Sequence, residues 1–239
     1  MMKWVIFLGI LLVILVFLCG VAGAARLVEI ALEAELANTI QAPMVVDIPA
    51  SAKAQGGPEP DEPSNGKFIW APGRPVEGGA NDGKGFAEFI INIPEKAKYY
   101  VWGRVIAWDG NSDSFWVTWR PADPDENPQQ TANTQFRWGV AAGNTWHWDK
   151  INHWLDGGTF DREWELDKGE TRLKIWTRED ATMLDCLFIT TNASPNEAGA
   201  AVRTPTEEDR KLQIQGKVKL AVDAKIKLPI TWGDIKAKY

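Results

Sequence analysis

Between residues 28 and 192 the hydrophobic positions come in short runs rich in β-branched and aromatic residues, separated by clusters of Gly, Pro, Asn and Asp. That rhythm predicts strands and turns. The clearest runs cover 88–93, 99–107, 114–119, 160–166, 171–177 and 183–190. In the fifth of them Leu173 and Ile175 alternate with Arg172 and Lys174, the pattern of a strand with one wet face. Residues 27–37 are helix-friendly in composition yet alternate at Leu32, Ala34 and Leu36, so they read either way. Many short strands without a long amphipathic helix predict an all-β fold, an antiparallel β-sandwich.

The segments 50–66 and 121–134, rich in Pro, Asp and Gln, read as long surface loops, and 193–209 reads as a linker. Beyond it Leu212, Ile214, Val218, Leu220, Val222, Ile226, Leu228 and Ile230 keep a mostly two-residue period among lysines, which predicts one or two strands in the tail 210–239. At the other end Lys3, an apolar run from Trp4 to Cys19 and Ala22-Gly23-Ala24 make a secretory signal over 1–24, with cleavage after Ala24. An uncleaved anchor helix is the alternative; the run is shorter than the ~20 residues that span a bilayer. After cleavage only Cys186 remains, in an apolar run, and is expected to be a core residue.

The formal charge is −6, unevenly divided. Arg210 and seven lysines against Asp223 and Asp234 give the tail +6, and residues 25–209 carry −13. An acidic body argues against nucleic acid as a partner. Two histidines and two cysteines are too few for zinc fingers, iron–sulfur sites or a disulfide scaffold. G-x-S-x-G, H-E-x-x-H and P-loop motifs are lacking, so a non-catalytic role is expected.

Ten of the 13 tryptophans fall between 102 and 176, more than a core of this size needs. Trp102 and Trp176 lie in apolar strands and read as core. Trp146, Trp148 and Trp154 sit among Gly, Asn, Asp and His in what reads as loop, where an exposed indole implies a ligand. Sugar rings stack on indoles through C–H faces and need polar neighbours, which Asn144, Asp149, Asn152 and Asp156 provide in sequence. The competing reading packs these indoles under a long loop.

Glu33 and Glu35 fall on one face of a predicted strand, where they repel unless a cation or a basic side chain stands between them. Asp109-Gly-Asn111-Ser-Asp113 has the front half of a calcium loop but not its glycine or final glutamate, and reads as a turn.

Three stretches together resemble the jelly-roll carbohydrate-binding modules of families 6, 35 and 36: Leu32-Glu33-Ala34-Glu35; Trp146-His-Trp148 with the run from Trp164 to Ile175; and Leu184-Asp185-Cys-Leu187-Phe-Ile189. The resemblance covers about 28–192. It implies a jelly roll that binds polysaccharide and a structural calcium ion on Glu33, Glu35 and Asp185. It also puts Met183 where those modules commonly carry a sugar-binding asparagine, with Asn192 as a substitute nearby. A structural or adhesive protein of the cell envelope, docking to a partner through its basic tail, is the expectation of a different class.

Overall fold

The computed structural model describes residues 27–75, 83–131, 134–155, 158–195 and 201–226. Residues 1–26, which include the expected signal, Asp156 and the chain beyond 226 lie outside the described residues. The strands are β1 (Glu29–Glu33), β2 (Thr39–Gln41), β3 (Val45–Asp47), β4 (Phe68–Trp70), β5 (Phe86–Ile93), β6 (Ala97–Ala107), β7 (Ser114–Arg120), β8 (Arg137–Gly139), β9 (Gly143–Lys150), β10 (Asn152–Leu155), β11 (Gly158–Asp161), β12 (Trp164–Leu166), β13 (Gly169–Thr177) and β14 (Met183–Thr190). Two helices complete the order, α1 (Pro49–Ala54) and α2 (Glu207–Ile226).

Two antiparallel sheets face each other. The larger runs β12-β6-β14-β4-β3, with β1 added along β14 and β9 along β6; the smaller runs β2-β5-β13-β7-β8. A separate hairpin joins β10 to β11. The expected strands therefore form an all-β sandwich, and 27–37 resolves into β1 followed by a single 3₁₀ turn at Ala34–Leu36.

Between the sheets lies a core of Phe89, Tyr99, Phe115, Trp119, Trp138, Leu173, Ile175 and Leu187, each essentially without exposure. Buried indoles are tolerated because their N–H groups find acceptors. Trp119 Nε1 donates to Thr171 Oγ1 at 2.9 Å, Trp138 Nε1 to Asp149 Oδ1 at 2.8 Å and Trp164 Nε1 to Asp123 Oδ2 at 2.8 Å. Gly103 lets the Trp138 ring cross β6, since a Cβ there would sit 2.3 Å from its Cη2. Gly169 opens β13 at φ +137°, in a backbone region that favours glycine.

Five expectations need correction. Residues 143–155 are strands β9 and β10 rather than loop. The run 160–166 is divided between β11 and β12. Trp102 points away from the core and is half-buried. Lys174, read as wet, is 8% exposed because Asp125 (2.7 Å) and Glu88 (3.5 Å) pair with it over the rings of Phe86 and Trp176.

The fifth is the tail, which is helical over Glu207–Ile226 where strands were expected. Its start explains why. Asp209 Oδ2 accepts from Thr206 N at 2.8 Å while Asp209 N donates to Thr206 Oγ1 at 3.3 Å, a capping box. Glu207, Glu208 and Asp209 then complement the helix dipole, and a run of Lys, Gln, Leu and Ala favours propagation.

Candidate functional site

Three of the candidate residues, Asn144, Trp146 and Trp148, fall on β9 at the edge of the larger sheet. Direction along β6 is set by Gly103, which meets Trp138 in the core, so Tyr100, Trp102 and Arg104 point outward. In β9 Asp149 points inward, its carboxylate accepting from Trp138 Nε1 and from Ala141 N at 2.9 Å. Burial nonetheless raises its pKa. Trp146, Trp148 and Lys150 consequently share the outer face with the β6 residues, in the register Arg104 opposite Trp148 and Trp102 opposite Lys150.

These aromatics differ in what holds them. Trp146 packs on Phe68 (centroids 5.8 Å apart), lies under the Arg104 guanidinium at 5.6 Å and donates its N–H to Asp61 O at 2.8 Å, so the 50–66 segment covers it. Trp154 is clamped between the Gly139 backbone and the Arg137 guanidinium, 4.1 Å from its ring. Asn152 is buried, with Oδ1 accepting from Gly139 N (3.1 Å) and Nδ2 donating to Gly139 O (2.7 Å). Asn144 is exposed and Trp148 half-buried on the edge strand. Lys150 lies over Tyr100 at 4.8 Å and pairs with Asp161 at 2.7 Å. Trp146, Trp148 and Asn144 are thus brought together on β9, and Trp154 and Asn152 serve the β8–β10 packing. Tyr100 and Trp102, absent from the expected set, complete the aromatic row.

Met183 is fully buried in a satellite cluster with Ala52, Phe68, Trp70 and Ile106 beneath α1. Asn192 Oδ1 accepts from Ser194 N at 3.0 Å, turning the chain after β14. Asp109 Oδ1 likewise accepts from Asn111 N at 2.9 Å, the local bond of a turn.

The carboxylates lie beside the aromatic row. Glu33 and Asp185 are both 0% exposed. Ligand atoms of Glu33, Asp185 and Cys186 lie within 4.8 Å of one another, a spacing that can hold a metal ion. The donor set argues against calcium in this arrangement. Glu33 Oε1 accepts from Arg210 Nη1 at 3.0 Å and Oε2 from Ser64 Oγ at 2.6 Å. Asp185 Oδ1 accepts from Ser64 N at 2.9 Å and Oδ2 from Arg104 Nη1 at 2.5 Å. Glu35 faces Asn65, which donates to Oε1 at 2.7 Å, while its Oε2 is buried without a hydrogen-bond partner. Cys186 is a poor ligand for a hard cation, and burial followed by the charges of Asp185 and Glu33 keeps its thiol protonated. Burial pushes Glu33 up to about 7 against the downward pull of Ser64 and Arg210. The sequence pointed to a cation or a basic side chain here, and the structure supplies basic side chains.

No protein-family model matches the sequence, and no curated protein matches it. Solved structures do. The chain is similar to a family 35 carbohydrate-binding module from Clostridium thermocellum, at 12% identity over 69% of this chain and 98% of the module, with a TM-score of 0.43. It is similar to a family 6 module of Cellvibrio mixtus lichenase 5A solved with cellotriose, at 14% identity over 68% of this chain and 96% of that one, TM-score 0.43. A Podospora anserina β-(1,4)-mannanase with a family 35 module matches at 14% identity over 74% of this chain and 29% of its own, TM-score 0.45. The likeness is one of fold.

Proposed function

We propose that the protein binds polysaccharide without cleaving it, on the outer face of the larger sheet. The observation that carries this reading is the row of Trp148, Trp102 and Tyr100 on β9 and β6, with Trp148 half-buried at the edge and exposed Asn144 on the same strand. Flat indoles beside hydrogen-bonding groups suit the two-sided chemistry of a sugar ring. The cations along this face are already paired, Lys150 with Asp161, Arg104 with Asp185 and Lys98 with Glu163. A neutral chain is therefore the better fit. The Glu179 carboxylate, close to that of Asp113, accepts from Asp113 N and Ser114 Oγ and pairs with Arg178, an arrangement that braces turns rather than flanks a scissile bond.

Calcium enters this reading only through Glu33, Glu35 and Asp185. Protein donors hold most of the oxygens it would need, so the proposed binding does not depend on the ion. The segment 1–24 would address the protein out of the cytoplasm. The lysines at 217, 219, 225, 227, 236 and 238, opposed by two aspartates, would let the end of the tail dock to an acidic envelope partner.

The test is Trp148→Ala on residues 25–239, read by glycan array and affinity electrophoresis. Aromatic stacking on nucleobases is worth about 1 kcal/mol per ring at its low end, and a similar contact here sets the expected loss at about fivefold in affinity. The melting temperature should stay within a degree or two. Undiminished retention of a bound glycan would refute the assigned face; absence of binding by the parent to any glycan would refute the function.

A further inference from the structure

We infer that Arg104 and Arg210 do here what a bound cation would do, and that α2 is in consequence a clasp that closes the sandwich. The carboxylates of Glu33 and Asp185 are wholly buried on adjacent strands and meet at one hydroxyl, since Ser64 Oγ donates to Glu33 Oε2 at 2.6 Å and lies 3.2 Å from Asp185 Oδ1. Two buried carboxylates at that separation can ionise together only with compensation. Arg104 comes from β6, the strand next to β14, and reaches Asp185. Arg210 comes from the other end of the chain, 177 residues from Glu33, and reaches its second oxygen.

Gln213, one helical turn further on, reinforces the contact in a way no ion could. Its Oε1 accepts from Glu33 N at 2.9 Å, and its Nε2 donates to Glu33 O at 3.0 Å and Leu36 O at 3.1 Å. These bonds satisfy backbone groups where β1 gives way to the 3₁₀ turn. The helix is braced at its start by Arg203, which pairs with Asp209 at 2.6 Å.

Among the described side chains of α2, apolar packing does not account for the docking. Leu212 is 58% and Ile214 47% exposed, and a groove of about 660 Å³ remains between α2 and the body, lined by Ile30, Leu32, Phe89, Ile91 and Leu212 among others. Among those described, the side chains that hold the helix are the polar set Arg210 and Gln213, with their partners at the end of β1. The basic residue at the head of the tail thereby belongs to the fold.

The experiment is thermal unfolding of residues 25–239 with excess chelator or with millimolar calcium, alongside Arg210→Gln, Glu33→Gln and the double variant. The parent should melt at the same temperature with chelator and with calcium. Arg210→Gln should lower the melting temperature by about 6 to 12 °C, the low end for stripping one partner from a buried pair. The double variant should lose no more than the worse single one, since the charge that needed a partner has gone. Limited proteolysis should cut near residue 206 in Arg210→Gln and not in the parent. If Arg210→Gln fails to fold, Arg210→Lys supplies the comparison, keeping the charge and weakening the fixed geometry. A parent destabilised by chelator would overturn the inference, as would additive losses in the double variant or an unchanged melt in Arg210→Gln.

Discussion

Tryptophans that look interchangeable in sequence are separated by what touches them. Trp146 and Trp148 are two residues apart on one strand face, yet Trp146 is held by Phe68, Arg104 and Asp61 while Trp148 stands at the edge opposite Arg104. Trp154 is gripped by Gly139 and Arg137. Trp146→Ala and Trp154→Ala should therefore destabilise the fold by about 2 kcal/mol each, below the 3 to 5 kcal/mol of a fully buried indole. For a chain of this size that lowers the melting temperature by about 4 to 8 °C. Differential scanning calorimetry decides the point: equal melting temperatures for the alanine variants at 146, 148 and 154 would mean that the contacts drawn here do not hold these rings. Sequence composition marked the β9 region as the candidate for sugar binding. Which ring faces outward could not be read there, because that depends on Gly103 and Asp149 fixing the parity of two paired strands.

At the scale of elements, the legible strands are those dense in core residues, such as β13 with Leu173 and Ile175 and β14 with Leu184, Leu187 and Ile189. β9 was illegible because its inward residue is Asp149, whose burial makes sense only once Trp138 is known to donate to it. In the tail, two-residue spacing of Leu212 and Ile214 competed with the capping box of Thr206 and Asp209, and the cap prevailed. Turns repay the same attention. The β6–β7 turn is tied to the β13–β14 turn where Glu179 Oε2 accepts from Asp113 N at 2.9 Å and Ser114 Oγ at 2.7 Å. Burial first, and the Glu179 carboxylate next, push Asp113 up to about 6. A carboxyl raised in the folded state favours folding while protonated. That contribution is complete below about pH 4 and is lost as the pH rises through about 6. Asp113→Asn should accordingly gain on the parent in melting temperature between pH 4 and pH 7. A difference that stays constant across that range would show that Asp113 titrates normally.

For the whole molecule, the division into an acidic body and a basic tail was visible in the charge count, and the strands of the sandwich in the turn rhythm. Their connection was not. Glu33 and Arg210 are 177 positions apart, and only the closure of β1 onto β14, followed by the return of the chain to α2, brings them to 3.0 Å. A tail read from sequence alone looks detachable. The geometry divides it instead at the helix, because the contacts described between tail and sandwich come from Arg210 and Gln213, both in the first two turns of α2. Two truncations separate the halves. Ending the chain after residue 226 leaves those contacts intact and should leave the melting temperature unchanged, while removing three lysines and one aspartate. Ending it after residue 206 leaves Glu33 buried without its guanidinium and the end of β1 without the Gln213 amide, which should cost about 3 to 5 kcal/mol, or about 6 to 20 °C. Raising the pH from 5 to 8 should widen the gap between the shorter chain and the parent, since Glu33 must then ionise without Arg210 to meet it. Thermal unfolding of the three chains across that range tests the division, and an unaltered melt for the chain ending at 206 would return α2 to the status of an appendage.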